Sequence, residues 1–582
     1  MKNTELVQNN IFISNIYKKA LLPCMLSILS ANINVIVDGI LVGQKLGGNA
    51  LAAINLCMPL NLLLCVIGSF ISAGTAINSS KAIGQNQPSK SNEYYKLGVT
   101  MSAVVSILFT VGGIVFLNSI CLFLCSDIEV FFYVHSYSLI TIIGAIFRIS
   151  IYIPFWYLRI DGQNKEISRI MMVLTFGNIL LDILFVYIMN MGVFGAGLAN
   201  VIATALAMLL GFYYLRNNKS DFQFNFKINI SQISIKSIVA DGLPSSLNNL
   251  CSTIRMLTIN IILLSLGGAS LVAIFTAVNG IFSIGECIIL GIPQASNAML
   301  GVYTGERDYN SSKLIIKTEM YMGAICSAIF FALCLLISPY VNNLYGISDS
   351  ISTPVLLMAI SIFPGLICNI LSSYYNITGK NVLSSFIIVI RLIVLTYISI
   401  NLAILININI FSFMLITELL TLLVIYIITL LYYLNNKAVD RFLLCKMNNE
   451  LSGKVINFSV ENAKQSICDA SEKIADFCNN NGLESKDTMK IQLAIEEALV
   501  LVSDLNNNEH VELNGFDIRV FLYDDLSGIR IRYDGLDFNP FAGNMDTSDY
   551  MGIKMISDLL ETVAYRRTFG VNTMILLLED KA

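Results

Sequence analysis

The chain has 582 residues, 55% of them hydrophobic and only 13% charged, with a formal net charge of −4. Soluble domains carry about 25% charged residues, so a chain soluble throughout is excluded, and the weak acidity offers no basic surface to nucleic acid. Thirteen cysteines occur without a CxxC pair, and His135 and His510 are the only histidines, a composition that predicts buried small hydrophobes rather than a metal cluster.

The first 19 residues are polar to amphipathic, and the apolar run behind Lys18 and Lys19 is too long for a cleavable signal peptide. A helix needs about 20 apolar residues to cross a bilayer. Runs of that length predict spans near 20–43, 51–74, 95–118, 130–157, 168–190 and 194–215. A second six follow near 244–265, 271–299, 315–338, 352–375, 384–404 and 410–434. Lysine and arginine fall in alternate connecting segments, around 18, 81–96, 159–169, 216–236, 307–317 and 380, and the segments between them hold only Lys45. Positive charge marks the cytoplasmic side. The expectation is a multi-pass plasma-membrane protein with both termini in the cytoplasm.

The two sets of six resemble each other. LGGNALAAI from Leu46 matches LGGASLVAI from Leu266, 220 residues on. GQNQPSKSNEYYK from Gly84 corresponds to GERDYNSSKLIIK from Gly305 at an offset of 221, and RIDG from Arg159 to NITG from Asn376 at 217. An even number of helices per repeat leaves both halves the same way up, with a cleft between them near mid-bilayer. That arrangement points to a secondary transporter working by alternating access.

An acidic group at mid-membrane costs roughly 2.5–3.5 kcal/mol on insertion scales, so each one needs a reason. Asp38 stands in NINVIVDGILVG and Asp182 in GNILLDILFVY. Asn178 lies one helical turn before Asp182 on the same face, and Asn200 follows GAGLA. Gathered in one pocket these four would bind a proton, and their oxygens also suit Na⁺; a lone asparagine more commonly bonds between helices. The repeat carries Asp38 onto about Thr258 and Asp182 onto about Ser399, so coupling is expected in the first half only. Arg148, Arg255, Glu286, Arg391 and Glu418 are the other charges in helices. Arg391 and Glu418 are candidates to pair, and Glu286 to line the cleft. Pro23 removes a backbone hydrogen bond and is a candidate bend.

VDGILVGQKLGGNALAA, RIDGQNK, GNILLD, GAGLAN and the paired loops at Gly84 and Gly305 resemble the multidrug and toxic compound extrusion (MATE) family over residues 12–436. The resemblance implies a twelve-helix, V-shaped antiporter that exports small organic, often cationic, compounds in exchange for H⁺ or Na⁺, with no cofactor. Asp38, Asn178 and Asp182 match the acidic site of one branch of that family, and Pro23 its first-helix proline. Asn200 stands where that branch commonly has threonine.

Charges become dense after residue 436. There 463–482 and 486–505 read as amphipathic helices, 516–523, 528–533 and 572–578 as strands, and 551–562 as a further helix. IQLAIEEALV, RYDGLDFNPF and MGIKMISDLLETVAYRRTFGVNTMILLL resemble the histidine-kinase-like ATPase fold, closest to anti-sigma-factor serine kinases. That likeness implies a helical Glu followed four residues on by a Mg²⁺-binding Asn, an adenine-binding Asp two residues before a glycine, and a glycine-rich lid. Glu497, Gly535 and Gly552 match the glutamate, the glycine and one lid position. Leu501 stands at the Asn and Tyr533 at the Asp. Leucine cannot ligate Mg²⁺, and tyrosine offers adenine no carboxylate.

The expected architecture is an all-α polytopic membrane protein of twelve helices in two six-helix lobes, followed by a small α/β sandwich domain. The boundaries are 1–220 and 221–440 for the lobes and 446–582 for the domain. The domain's nucleotide site is expected to be degenerate, without ATP, and the domain to be regulatory through a cytosolic protein partner; weak nucleotide binding and an active kinase or ATPase are the alternatives. For the whole chain, a membrane-tethered signalling protein and a lipid-linked oligosaccharide flippase are the rival readings to an ion-coupled exporter.

Overall fold

The computed structural model describes residues 10–46, 48–124, 128–217, 222–223, 234–345, 351–435, 440, 443–444, 454–511, 513, 515–523, 526–536, 539, 562–568 and 571–580. At some of these, Asp38 among them, only the backbone is described. Contacts divide the chain into two compact units, Tyr17–Leu430 and a second made of Leu431–Ala582 with Met1–Ile16.

Lipid offers no water to a free backbone group, so a spanning segment must satisfy its own hydrogen bonds as helix. The first unit follows that rule. Its first half comprises α1 (Asn10–Leu46), α2 (Gly48–Gly84), α3 (Pro88–Val115), α4 (Leu117–Leu124), α5 (Ile128–Ile143), α6 (Ala145–Ser150) and α7 (Tyr152–Ile160). α8 (Asn164–Asp182) then runs into a π-helical stretch, Ile183–Ile188, before α9 (Gly192–Asn217). The second half comprises α10 (Ile235–Gly305), α11 (Tyr309–Tyr345), α12 (Ser352–Ile377) and α13 (Asn381–Val389). A second π stretch, Ile390–Leu395, leads to α14 (Thr396–Leu405) and α15 (Phe413–Asn435).

The turns repeat in backbone conformation. Asn86 and Arg307 both take φ of 57°, 221 residues apart. Gln87 N donates to Ala82 O at 2.9 Å and Asp308 N to Tyr303 O at 2.8 Å, the same helix-ending closure. Gly162 and Gly379 have φ of 75° and 83°, and Asn190 and Asn407 have 50° and 57°, both pairs 217 apart. Gln163 N donates to Leu158 O and Lys380 N to Tyr375 O, each at 2.8 Å. The two π stretches do not share these offsets, so the halves differ within their fifth spans.

α10 holds 71 residues, where the sequence suggests two spans. Ile238 and Gly242 pass Gly74 and Phe70 antiparallel to α2, whereas Gly301 and Gly305 pass Ser80 and Gly84 parallel to it. The helix therefore runs out along α2 and returns, and its two legs are the spans expected at 244–265 and 271–299. These approaches join the halves. A Cβ on Gly84 would strike Val302 O, and one on Gly305 would strike Lys81 O. Tyr17 Oη donates to Ile292 O at 3.2 Å, and Asn32 Nδ2 to Ser283 O, tying α1 to the returning leg.

Among the described residues, nine helices are long and apolar enough to cross a membrane. The pair Phe131–Ile143 and Ala145–Ile160, bent by 51°, makes up to ten. That count leaves out the expected spans 20–43 and 244–265, which lie in α1 and in the first leg of α10.

In the second unit, β1 (Val455–Val460), β2 (Phe516–Leu522), β3 (Leu526–Tyr533), β4 (Thr562–Thr568) and β5 (Val571–Asp580) form one antiparallel sheet, ordered β1-β2-β3-β5-β4. α16 (Lys464–Asn480) and α17 (Ser485–Asn508) belong to the same unit. Ile491, Ala494, Ile495, Ala498, Leu499 and Val502 of α17 recur at helical spacing and share one core with Ile518, Val520, Ile529 and Ile531, alternate residues of β2 and β3. β1 and β4 add to the three strands read from the sequence. The helix expected at 551–562 lies outside the described residues up to 561, and Thr562 begins β4.

Candidate functional site

α8 presents Ser168, Thr175, Asn178 and Asp182 on one face, at spacings of seven, three and four. Asn178 Nδ2 donates to Asp182 Oδ2 at 3.0 Å, and the two residues are 1% and 0% exposed. Ser168 Oγ donates to Pro23 O at 2.9 Å and Thr175 Oγ1 to Ser30 O at 3.2 Å. Both bonds span 145 residues, so α1 and α8 run parallel in fixed register. Pro23 has no N–H to give, yet its carbonyl also accepts from Ser27 Oγ at 2.7 Å, so this point of α1 is held by hydroxyls from two helices. A π stretch begins one residue beyond Asp182; such insertions recur at functional sites.

Asn200 is half-buried on α9 and has no bond to Asn178 or Asp182. It lines a pocket with Asn61, Tyr137, Thr141, Arg148 and Thr204. Asp38 lies on α1, its side chain outside the description. Thr258 Oγ1 donates to Ile254 O at 2.9 Å, and Ser399 is buried with its hydroxyl unbonded; neither carries a charge.

In the second half, Arg391 holds Glu418 in a bidentate pair, Nε to Oε2 at 2.8 Å and Nη2 to Oε1 at 2.9 Å. Glu286 is half-buried on α10 and has Arg255 and Arg391 as its electrostatic neighbours. Glu319 and Asp241 are buried acids that escape a sequence reading. Glu319 of α11 is 1% exposed, with Oε1 unbonded. Asp241 is 2% exposed. Its Oδ2 accepts from Lys81 Nζ at 2.8 Å and Asn78 Nδ2 at 3.0 Å, and its Oδ1 from Asn381 Nδ2 at 2.7 Å. The sequence signal was Pro244, 221 residues after Pro23, which marks Asp241 as lying inside a span rather than ahead of one.

In the second unit, Glu497 and Leu501 sit half-buried one turn apart on α17, and Tyr533 is 1% exposed with its ring against Phe516. Gly535 has φ of 117°, and a Cβ there would strike Asn506 Oδ1. That oxygen accepts from Leu536 N at 2.9 Å, while Asn572 Nδ2 donates to Leu536 O at 2.8 Å. The glycine is thus required by a structural turn anchored on Asn506, a residue without a motif to announce it. Gly552 lies outside the described residues. Among the described residues, no group of three His, Cys, Asp or Glu side chains could hold a metal ion.

The MatE family model matches residues 23–188 and 244–402. The chain is 24% identical to multidrug export protein MepA of Staphylococcus haemolyticus (strain JCSC1435) over 327 residues, 55% of this chain and 71% of that protein. It is 22% identical to the probable multidrug resistance protein YoeA of Bacillus subtilis (strain 168) over 333 residues, 56% and 72% of the two chains. Among solved structures it resembles MATE in complex with MaL6, with a TM-score of 0.66 at 20% identity over 73% of this chain and 96% of that one. A MOP superfamily transporter from Pyrococcus furiosus Vc1 (DSM3638) gives a TM-score of 0.65 at the same identity and coverage; at such identity these show the fold. With more than half of its length matched by the family model, the chain is a membrane transporter of the MatE family.

Proposed function

We propose that the protein is a multidrug antiporter of twelve spans in two six-helix lobes, 1–220 and 221–440, exporting small organic compounds across the plasma membrane in exchange for H⁺ or Na⁺. Both termini are cytoplasmic in this reading, on the side of the lysine- and arginine-rich segments. Coupling belongs to Asp38, Asn178, Asp182 and Asn200. The observation that carries it is the buried Asn178–Asp182 pair on a helix registered against α1. The offset of 145 that pairs 168 with 23 and 175 with 30, continued by seven, makes 182 level with 37, next to Asp38. Two carboxylates at one level in a water-poor lobe bind a cation between them, and the cation's arrival alters how α1 and α8 pack. Relatives named for multidrug export and multidrug resistance support the substrate class.

Residues 446–582 regulate without ATP: Leu501 and Tyr533 remain unfit for Mg²⁺ and adenine, and Gly535 serves the Asn506 turn.

Dye efflux from proteoliposomes tests the proposal under an imposed pH gradient and, separately, an imposed Na⁺ gradient. One of the two drives export in the unmodified protein, and Asp182→Asn reduces that rate at least about 100-fold, the loss expected when a transmembrane ion-pathway acid is neutralised. Undiminished ion-driven efflux from Asp182→Asn sinks the assignment.

A further inference from the structure

Four charged side chains of the second half come together from four places in the chain. Arg391 belongs to the π stretch before α14 and Glu418 to α15, and they make the bidentate pair. They are 8% and 4% exposed. Arg255 lies on the outgoing leg of α10 and has both Glu418 and Glu286 as electrostatic neighbours. Arg391 likewise faces Glu286 besides its bonded partner. Bases and acids therefore alternate around one cluster, two of each, and their formal charges cancel.

The surroundings are shaped to this cluster. A Cβ at Gly365 of α12 would lie 3.1 Å from Arg391 Nη2 and 3.3 Å from Glu418 Cδ, so the glycine leaves the pair its room. Further along α12, Cys368 Sγ donates to Glu418 O at 3.8 Å, and Cys287 lies beside Glu286 on the returning leg of α10. Thr396 Oγ1 donates to Arg391 O at 3.1 Å, across the π stretch. An extra residue in that turn shifts which way its side chains face.

The repeat gives the cluster no counterpart. Its offsets carry Arg255, Glu286, Arg391 and Glu418 back onto about Val35, Cys65, Leu174 and Val201. They carry Asp38 and Asp182 forward onto Thr258 and Ser399. Each half thus has its charges where the other has neutral residues. The coupling set of the first half holds two carboxylates and two amides, and an entering cation balances it. The cluster of the second half holds its own cations.

We propose that Arg255 and Arg391 are built-in counter-ions for Glu286 and Glu418, so that the second half passes through the transport cycle without taking up H⁺ or Na⁺. An ionised acid in a transmembrane lobe needs a partner, and removing one partner of a buried pair strands the other. Arg255 faces both acids, so it can follow either one as the legs of α10 shift. The inference rests on the ion-coupled reading and deepens it: coupling is confined to the first half because the second is already neutral.

The test is thermal unfolding of the purified full chain, with Na⁺ raised at constant ionic strength and, separately, with pH lowered. The coupling ion raises Tm of the unmodified protein by mass action. Asp38→Asn/Asp182→Asn abolishes that rise, because the acids of the second half already have counter-ions. Adding Arg255→Gln restores an ion-dependent rise, since the stranded acid then gains from H⁺ or Na⁺, and adding Glu286→Gln as well abolishes it again. Arg255→Lys keeps the charge and restores nothing. The rise is compared between variants, so a uniform loss of stability does not mimic it. If the Arg255→Gln chain does not fold, its recovery on adding Glu286→Gln reports the same balance, and no recovery overturns it. A folded Arg255→Gln variant of Asp38→Asn/Asp182→Asn whose Tm is indifferent to both ions overturns the built-in counter-ions and leaves first-half coupling standing. A rise that survives Asp38→Asn/Asp182→Asn and disappears with Glu286→Gln alone places coupling in the second half and overturns both.

Discussion

At the scale of single residues, what could be read was a partner on the same helix or, for Arg391 and Glu418, an opposite charge in a nearby span. Asn178 and Asp182 are four apart, so their contact follows from helical geometry. Glu319 follows nothing local. It stands two residues after Lys317, where an acid reads as interfacial, and it is buried by helices distant in sequence. Cys478 of α16 falls on the inward stripe with Ile467, Ala470 and Ile474, and burial pushes its thiol up to about 11 from 9.0. Cys468 is exposed on the same helix. Only the thiolate alkylates readily, so at pH 8 iodoacetamide should label Cys468 well ahead of Cys478 in the folded chain, read by mass spectrometry. The sign of the linked stability follows from the raised value. The buried thiol's contribution is fully present below about 9 and fades as pH rises toward 11. Equal labelling at pH 8 would mean that α16 does not cover the sheet.

Elements were legible where a period or a breaker marked them and obscure where tertiary contacts did the work. The apolar runs marked the spans, and the glycine turns at Gly162 and Gly379 marked their ends. β4 was missed because TVAYRRT lacks a clean alternation; it is ordered by pairing with β5. The glycines of the helix contacts look alike in sequence and differ in role. Gly84 has Val302 O and the Gly305 backbone where its Cβ would be, whereas Gly112 of α3 has nothing within 4 Å. Alanine favours a helix interior over glycine by about 1 kcal/mol, so Gly112→Ala should hold or raise Tm. Gly84→Ala meets backbone that cannot rotate aside, and overpacking of this kind costs about 1–3 kcal/mol. Thermal unfolding of the two variants in one detergent checks the contrast. A Gly84→Ala protein as stable as Gly112→Ala would remove α2 against α10 as a tight contact between the halves.

For the whole molecule, the repeat was readable because duplication left its mark in turns, while the joint between the halves was not, because it uses residues the halves do not share. The offset of 221 relates Pro23 to Pro244, but it relates Asp241 to Ala20 and Lys81 to Val302. One asymmetric acid thus ties α2 to α10 and α13, with Asn376 Nδ2 adding a bond to Asp241 O at 3.2 Å. In the proposed orientation this knot closes the cytoplasmic side, and it must open for the cleft to face inward. Its strength is therefore limited: a joint too tight would hold one state. The Lys81 side chain is 21% exposed and that of Asp241 only 3%, so losing the aspartate charge lets the ammonium reach water, while losing the lysine strands a buried carboxylate. Removing one partner of a fully buried pair costs about 3–5 kcal/mol. Lys81→Met should approach that range, and Asp241→Asn should fall below it. In the double variant neither charge is left alone, so its loss of stability should be smaller than the sum of the two by about 1 kcal/mol or more. Strict additivity in thermal unfolding would show that the ion pair contributes nothing to closure, leaving the glycine contacts and the Asn381 bond to hold the halves together.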